Sequence, residues 1–166
     1  RARLGISADG LMIVGVGQLI RRKSFHLLVD AIAQTQTQSE HRLECVLLGE
    51  GPERQTLEES AQRQGVALQL LGFVDHPEQI VAAADISVLP SLAEGMPLVV
   101  LEAMALGIPT IATNVAGTPE VIQDGVCGVL IPPNDTRALA TAIRRLAEDD
   151  PLRAQLGVAG RKRTRS

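Results

Sequence analysis

The chain has neither tryptophan nor tyrosine, and Phe25 and Phe73 are its only aromatics among 166 residues. Proteins that bind single-stranded nucleic acid rely on aromatic platforms for base stacking, so this composition speaks against that class. There is no basic surplus either. The formal net charge is −3 at pH 7, which leaves no electrostatic footprint for DNA or RNA. Two short basic clusters stand out: Arg21-Arg22-Lys23, and the closing Arg161-Lys162-Arg163-Thr164-Arg165, which reads as a solvated terminus. Cysteine is scarce. Cys45 and Cys127 lie far apart without metal-ligand spacing, as expected of buried thiols in a reducing compartment. No apolar run reaches the roughly 20 residues that span a bilayer, and no secretory signal opens the chain. The expected location is therefore cytoplasmic. The first residue is Arg rather than Met, which suggests a piece of a longer protein.

What is present is a globular composition, with 45% apolar and 21% charged residues. The core must be built from Ile, Val, Leu and Ala. Short β-rich runs are expected at 12–16, 43–48, 66–71, 86–90, 110–113 and 128–131. Between them lie helix-periodic segments at 25–35, 53–64, 79–84 and 97–106. A helix capped by Asp135 carries Leu139, Ala140, Ile143, Leu146 and Ala147 on one stripe, and a last helix covers about 151–162. Asp75 and Glu78 have the spacing of a capping box, and Thr118-Pro119-Glu120 reads as an N-cap followed by an N1 proline.

Near-continuous apolar strands alternating with helices imply one α/β domain over 1–166. It is a doubly wound parallel sheet of about six strands with helices on both faces. Ligands in such sheets bind beyond the carboxyl ends of the strands, near the switch in strand order. The loops to inspect are 17–24, 49–52, 72–76, 91–97 and 114–119.

In the first loop, Gly15-Val16-Gly17-Gln18-Leu19-Ile20 begins like a dinucleotide fingerprint but lacks the third glycine. It reads instead as a tight turn that brings backbone close to an anion, because Arg21, Arg22 and Lys23 follow at once. The loop at 91–97 is richer. Glu94-Gly95-Met96 precedes Pro97, where a helix should begin, and helix starts offer free amides and a partial positive charge to phosphate. Leu98 and Val99 are expected to supply the inward-pointing amides. Glu102 falls on the second turn of that helix among apolar residues, and its two oxygens suit the two hydroxyls of a vicinal diol. His26, His41 and His76 form no Ser-His-Asp order, and no metal-ligand cluster is evident.

These residues carry a family resemblance. The stretch Glu94-Gly-Met-Pro-Leu-Val-Val-Leu-Glu102-Ala-Met resembles the Glu-x7-Glu motif of retaining glycosyltransferases of glycosyltransferase family 4. Gly17-Gln-Leu-Ile-Arg-Arg-Lys23-Ser is similar to that family's Gly-Arg-Leu-x-x-x-Lys-Gly loop. Gly72-Phe-Val and Ala116-Gly-Thr-Pro-Glu120 look like its later landmarks. The resemblance covers about residues 10 to 150.

It implies the C-terminal, Rossmann-like, donor-binding half of a GT-B fold, with the acceptor held by a missing N-terminal domain. No cofactor or metal is implied. The substrate would be a nucleoside diphosphate sugar, UDP- or GDP-linked, and the missing domain could associate peripherally with the inner face of a membrane. On this resemblance Glu94 touches the transferred sugar and Glu102 holds the ribose. Gly17, Gln18 and Lys23 line the diphosphate, with Lys23 as its cation. The backbone of Gly95, Met96, Pro97, Leu98 and Val99 binds the distal phosphate and sugar, and Val74 lies near the base. Two positions depart from the pattern: Gln18 stands where Arg is frequent, and Ser24 where Gly is usual. Two other readings stay open, half of a sugar-nucleotide epimerase of the same fold and a nucleotide-binding module without catalysis.

Overall fold

The computed structural model describes all of residues 1–166. Six strands form one sheet: β1 (Leu11–Val16), β2 (Leu43–Leu48), β3 (Ala67–Leu70), β4 (Ile86–Leu89), β5 (Thr110–Thr113) and β6 (Val129–Ile131). Their spatial order is β3-β2-β1-β4-β5-β6, and every pairing is parallel. The order reverses between β1 and β4, where Ile13 pairs with Ile86 and Val14 with Ser87. This is the switch point at which open parallel sheets present their ligand crevice.

Helices α1 (Phe25–Gln36), α2 (Arg54–Gln64) and α6 (Thr136–Glu148) cover one face. Helices α3 (Pro77–Val81) and α4 (Leu98–Ala105) cover the other. Strand alternation decides which side chain goes where. In β1, Leu11 and Ile13 join Phe25, Leu28 and Ile32 of α1, whereas Met12 and Val14 face Val81 and Ala103. The short helix α5 (Thr118–Val121) follows β5, and α7 (Asp150–Arg163) contacts both α4 and α6, so it bridges the two helical layers. Cys45 and Cys127 are buried free thiols, and burial pushes the Cys45 pKa up to about 12. No helix is long and apolar enough to cross a membrane.

The start of α6 is as expected: the Asp135 carboxylate accepts from the Ala138 amide at 2.8 Å. Two other caps differ. Helix α3 begins at Pro77 with His76 in the cap position, so Asp75 falls outside it, and Glu78 instead meets His76 Nδ1 at 3.2 Å. Proline's fixed φ suits the first helical position and sets that start. Helix α5 is capped by Gly117, not Thr118. A Cβ at 117 would stand 2.4 Å from the Gly95 carbonyl oxygen, so this cap must be glycine. Thr118 becomes the first helical residue, and its buried hydroxyl has no partner.

The basic tail is also less free than its composition suggests. Arg163 donates from Nε to the Val121 carbonyl at 2.6 Å and from Nη2 to that of Glu120 at 2.8 Å. A guanidinium there satisfies carbonyls that the end of α5 leaves open.

Candidate functional site

Both sides of the switch point feed one crevice. The chain leaving β1 passes through Gly17 and a 3-10 turn, Arg21–Lys23. The chain leaving β4 enters the 91–97 loop. The two are tied together, since the Leu92 amide donates to the Arg22 carbonyl at 2.8 Å. Gly17 makes room for the lysine stem: a Cβ there would lie 3.4 Å from Lys23 Cδ and Cε. On its other side, the Gly17 amide donates to the Leu48 carbonyl, and Gly49 packs so closely that a Cβ would sit 2.0 Å from the Gly17 oxygen.

Lys23 ends against Glu94. Its Nζ lies 2.6 Å from Glu94 Oε1, and the side chains are only 14% and 9% exposed. The same oxygen accepts from Ser91 Oγ at 2.6 Å. Ser91 is fully buried, and its carbonyl accepts from the Thr113 hydroxyl at the end of β5. Residues that follow two strands, β1 and β4, thus meet on one carboxylate, and Thr113 of β5 braces the serine. A shielded pair of this kind is costly to break by deleting one partner, because the other charge stays behind.

Next to this pair the backbone is open. The amides of Gly95, Met96 and Val99 make no hydrogen bond within the chain. The Leu98 amide, expected to be free, donates to the Met96 carbonyl at 2.9 Å. Pro97, as the cap of α4, has no N–H to give. The usable donors at this helix start are therefore at 95, 96 and 99. A Cβ at Gly95 would meet nothing within 4 Å. Met96 and Leu98 project outward, 72% and 57% exposed.

Glu102 is exposed rather than sunk among its apolar neighbours, because it sits on the open flank of α4. It borders a narrow groove between α3 and α4 with Val16, Pro77, Leu89, Val99 and Leu106. Val16 and Leu89 end β1 and β4, so this groove opens at the switch point too. Val74 is half-buried and, like Val16, packs against the cluster that holds Val14 and Val81, while Phe73 projects into solvent. Gln18 is exposed, as are Arg21 and Arg22. Ser24 has left-handed backbone, φ 54° and ψ 33°, which accounts for the glycine usual at this place in the resembling pattern. Its hydroxyl donates back to the Arg21 carbonyl at 3.1 Å and closes the turn.

Two features escaped sequence reasoning. One is the direct contact of Lys23 with Glu94, since 71 residues separate them. The other is Ser91, whose Ser-x-x-Glu spacing matches a capping box but is used in a loop, with no helix between.

Residues 1–163 match the family described as glycosyl transferases group 1. The chain is 33% identical over 165 residues to the lipopolysaccharide core biosynthesis glycosyltransferase LpsE of Rhizobium meliloti (strain 1021), covering 96% of this chain and 46% of that protein. Sucrose-phosphate synthase from Thermosynechococcus elongatus shares the fold with a TM-score of 0.88 and 34% identity, over 99% of this chain and 43% of that one. Anabaena HepE in complex with UDP and glucose superposes with a TM-score of 0.91 and 27% identity, over 99% and 46% of the two chains. The chain spans less than half the length of each of these. The expected Rossmann-like half of a GT-B fold is what this sheet and its structural neighbours show. A parallel sheet in this order, with a family match over nearly its whole length, makes the chain a member of the glycosyl transferases group 1 family.

Proposed function

We propose that the chain is the donor-binding half of a retaining glycosyltransferase of glycosyltransferase family 4. It binds a nucleoside diphosphate sugar, UDP- or GDP-linked, and the sugar passes to an acceptor held by an N-terminal domain. Any peripheral contact with a membrane belongs to that domain. The observation that carries this reading is the meeting of Lys23 and Glu94 beside the unpaired amides of Gly95, Met96 and Val99. A cation and a fan of free N–H groups at a helix start are what a diphosphate needs.

In this reading Lys23 turns from Glu94 to the diphosphate and, with those amides, stabilises charge that builds on the leaving group. Gly17 and Gln18 border the diphosphate, and Pro97 and Leu98 shape the turn without donating. Glu94, released from the lysine, orients the transferred sugar and is the residue we assign to the catalytic centre. Glu102 accepts from the ribose hydroxyls at the mouth of the groove, and the base lies near Val74. Because one acid serves the ribose, the two do not flank the scissile bond as a glycosidase pair would.

Calorimetric titration of the chain with UDP and GDP tests this. One of them binds, and Lys23→Ala weakens it by about 1.5–3 kcal/mol, tenfold or more. An affinity that ignores the substitution would put the diphosphate elsewhere.

A further inference from the structure

We infer that Ser91 is a positioning residue for Glu94, holding its carboxylate in place once the donor has drawn Lys23 away. The inference rests on the reading of Glu94 as the sugar-facing acid. Glu94 Oε1 has two partners, Lys23 Nζ and Ser91 Oγ, each at 2.6 Å. A diphosphate is an acceptor of higher charge than one carboxylate and competes for the same ammonium. When Lys23 swings to it, one of the two restraints on Glu94 is lost at the moment the sugar arrives. The remaining one is the serine hydroxyl.

The serine is built for that task. It has no solvent exposure, so its hydroxyl has no competing water. Its carbonyl is held by Thr113 Oγ1 from β5, and the next amide, Leu92, is held by the Arg22 carbonyl from the first loop. Ser91 is therefore fixed from both sides of the switch point and keeps its place when Lys23 moves. A carboxylate with several rotatable bonds would otherwise sample rotamers and meet the sugar at an entropic cost. Oε1 is engaged by the serine, which leaves Oε2 as the oxygen for the substrate hydroxyl.

The test compares the affinities of the chain for UDP and UDP-glucose, whose ratio isolates the sugar contact. In the unaltered chain UDP-glucose binds more tightly than UDP. Ser91→Ala leaves UDP affinity within about twofold and removes most of the sugar-dependent gain, up to about tenfold. Ser91→Thr, which keeps the hydroxyl, retains the gain, and thermal melting confirms that each variant is folded. A double-mutant cycle supplies the readout that a merely structural role would not move. In a Glu94→Ala background, Ser91→Ala changes the ratio no further.

Retention of the full gain by Ser91→Ala overturns the inference and leaves the proposed function standing. So does an equal effect of Ser91→Ala with and without Glu94. If the unaltered chain binds UDP-glucose no better than UDP, the sugar-facing role of Glu94 falls, and the inference with it.

Discussion

Gly95 and Glu44 show how differently single residues here are constrained. Nothing in the protein requires glycine at 95, since a Cβ would point into open space and the backbone is not left-handed. If its lack of a side chain matters, it matters to a ligand. Gly95→Ala should therefore leave the melting temperature unchanged within about two degrees, as for surface substitutions of about 0.5 kcal/mol or less. Nucleotide affinity should nevertheless fall severalfold. Melting and titration of the same sample check both halves, and a loss of stability in step with affinity would contradict the assignment.

Glu44 is the opposite case, a buried carboxylate far from the crevice and devoted to stability. Burial raises its pKa, but hydrogen bonds from the Ser7 hydroxyl at 2.7 Å and the Ser7 amide at 2.9 Å outweigh that, helped by the Arg42 and Arg1 charges, and hold it below its ordinary value of 4.5. A carboxylate depressed by folding contributes stability that is complete above the unfolded value and lost as pH falls through the folded one. Denaturation midpoints measured from neutral pH down to pH 3 should show this loss in the unaltered chain. Glu44→Gln should be less stable at neutral pH and flatter across the acid range.

At the scale of elements, close approach of backbones decides several positions that composition cannot reveal. Gly157 lies inside α7, where alanine would ordinarily favour the helix by about 1 kcal/mol. Here a Cβ would stand 2.2 Å from the Gly107 carbonyl oxygen, in the turn after α4. Backbone does not give way as a flexible side chain does, so the sign reverses. Gly157→Ala should destabilise the chain by about 1–3 kcal/mol, the range for overpacking, in urea unfolding. A stabilised variant would contradict this close docking of α7 on the turn after α4.

The same contrast explains what was legible in the sequence. The helix stripe of α6 and its Asp135 cap were legible because both are local, and so were the strands, which keep their expected places to within a residue or so. The caps of α3 and α5 were misread for two different reasons, one local and one distant in sequence. Pro77 fixed one start, and the contact of Gly117 with Gly95 fixed the other. The Glu94 and Lys23 loops could be picked out one by one. Their partnership could not, because it depends on β1 and β4 becoming neighbours across an intervening β2 and β3. The exposure of Glu102 was equally hidden, since it follows from which flank of α4 is left uncovered.

For the molecule as a whole, the crevice is open on one side. Phe73, Leu92 and Met96 are exposed apolar residues in the loops that follow β3 and β4, and Leu98, also exposed, opens α4, in the same region as Lys23, Glu94 and the free amides. On the proposed reading, this chain alone can hold the donor's diphosphate, because the cation Lys23 and the unpaired amides of Gly95, Met96 and Val99 all belong to it. The same reading assigns the acceptor to the other half, which would orient it against the sugar from across the opening. Most of the advantage in a two-substrate transfer comes from that orientation, on the order of 7–11 kcal/mol at best. The expected outcome is a clean separation of binding from turnover. The isolated chain should bind the nucleotide and its sugar conjugate with stoichiometry near one, yet release no nucleoside diphosphate when supplied with acceptor candidates. Joined to the N-terminal half of a group 1 relative, it should turn over, and Glu94→Ala in that fusion should abolish transfer while leaving nucleotide affinity nearly unchanged. A coupled assay of diphosphate release reads both proteins, and robust turnover by the isolated chain would overturn the division of labour proposed between the two halves.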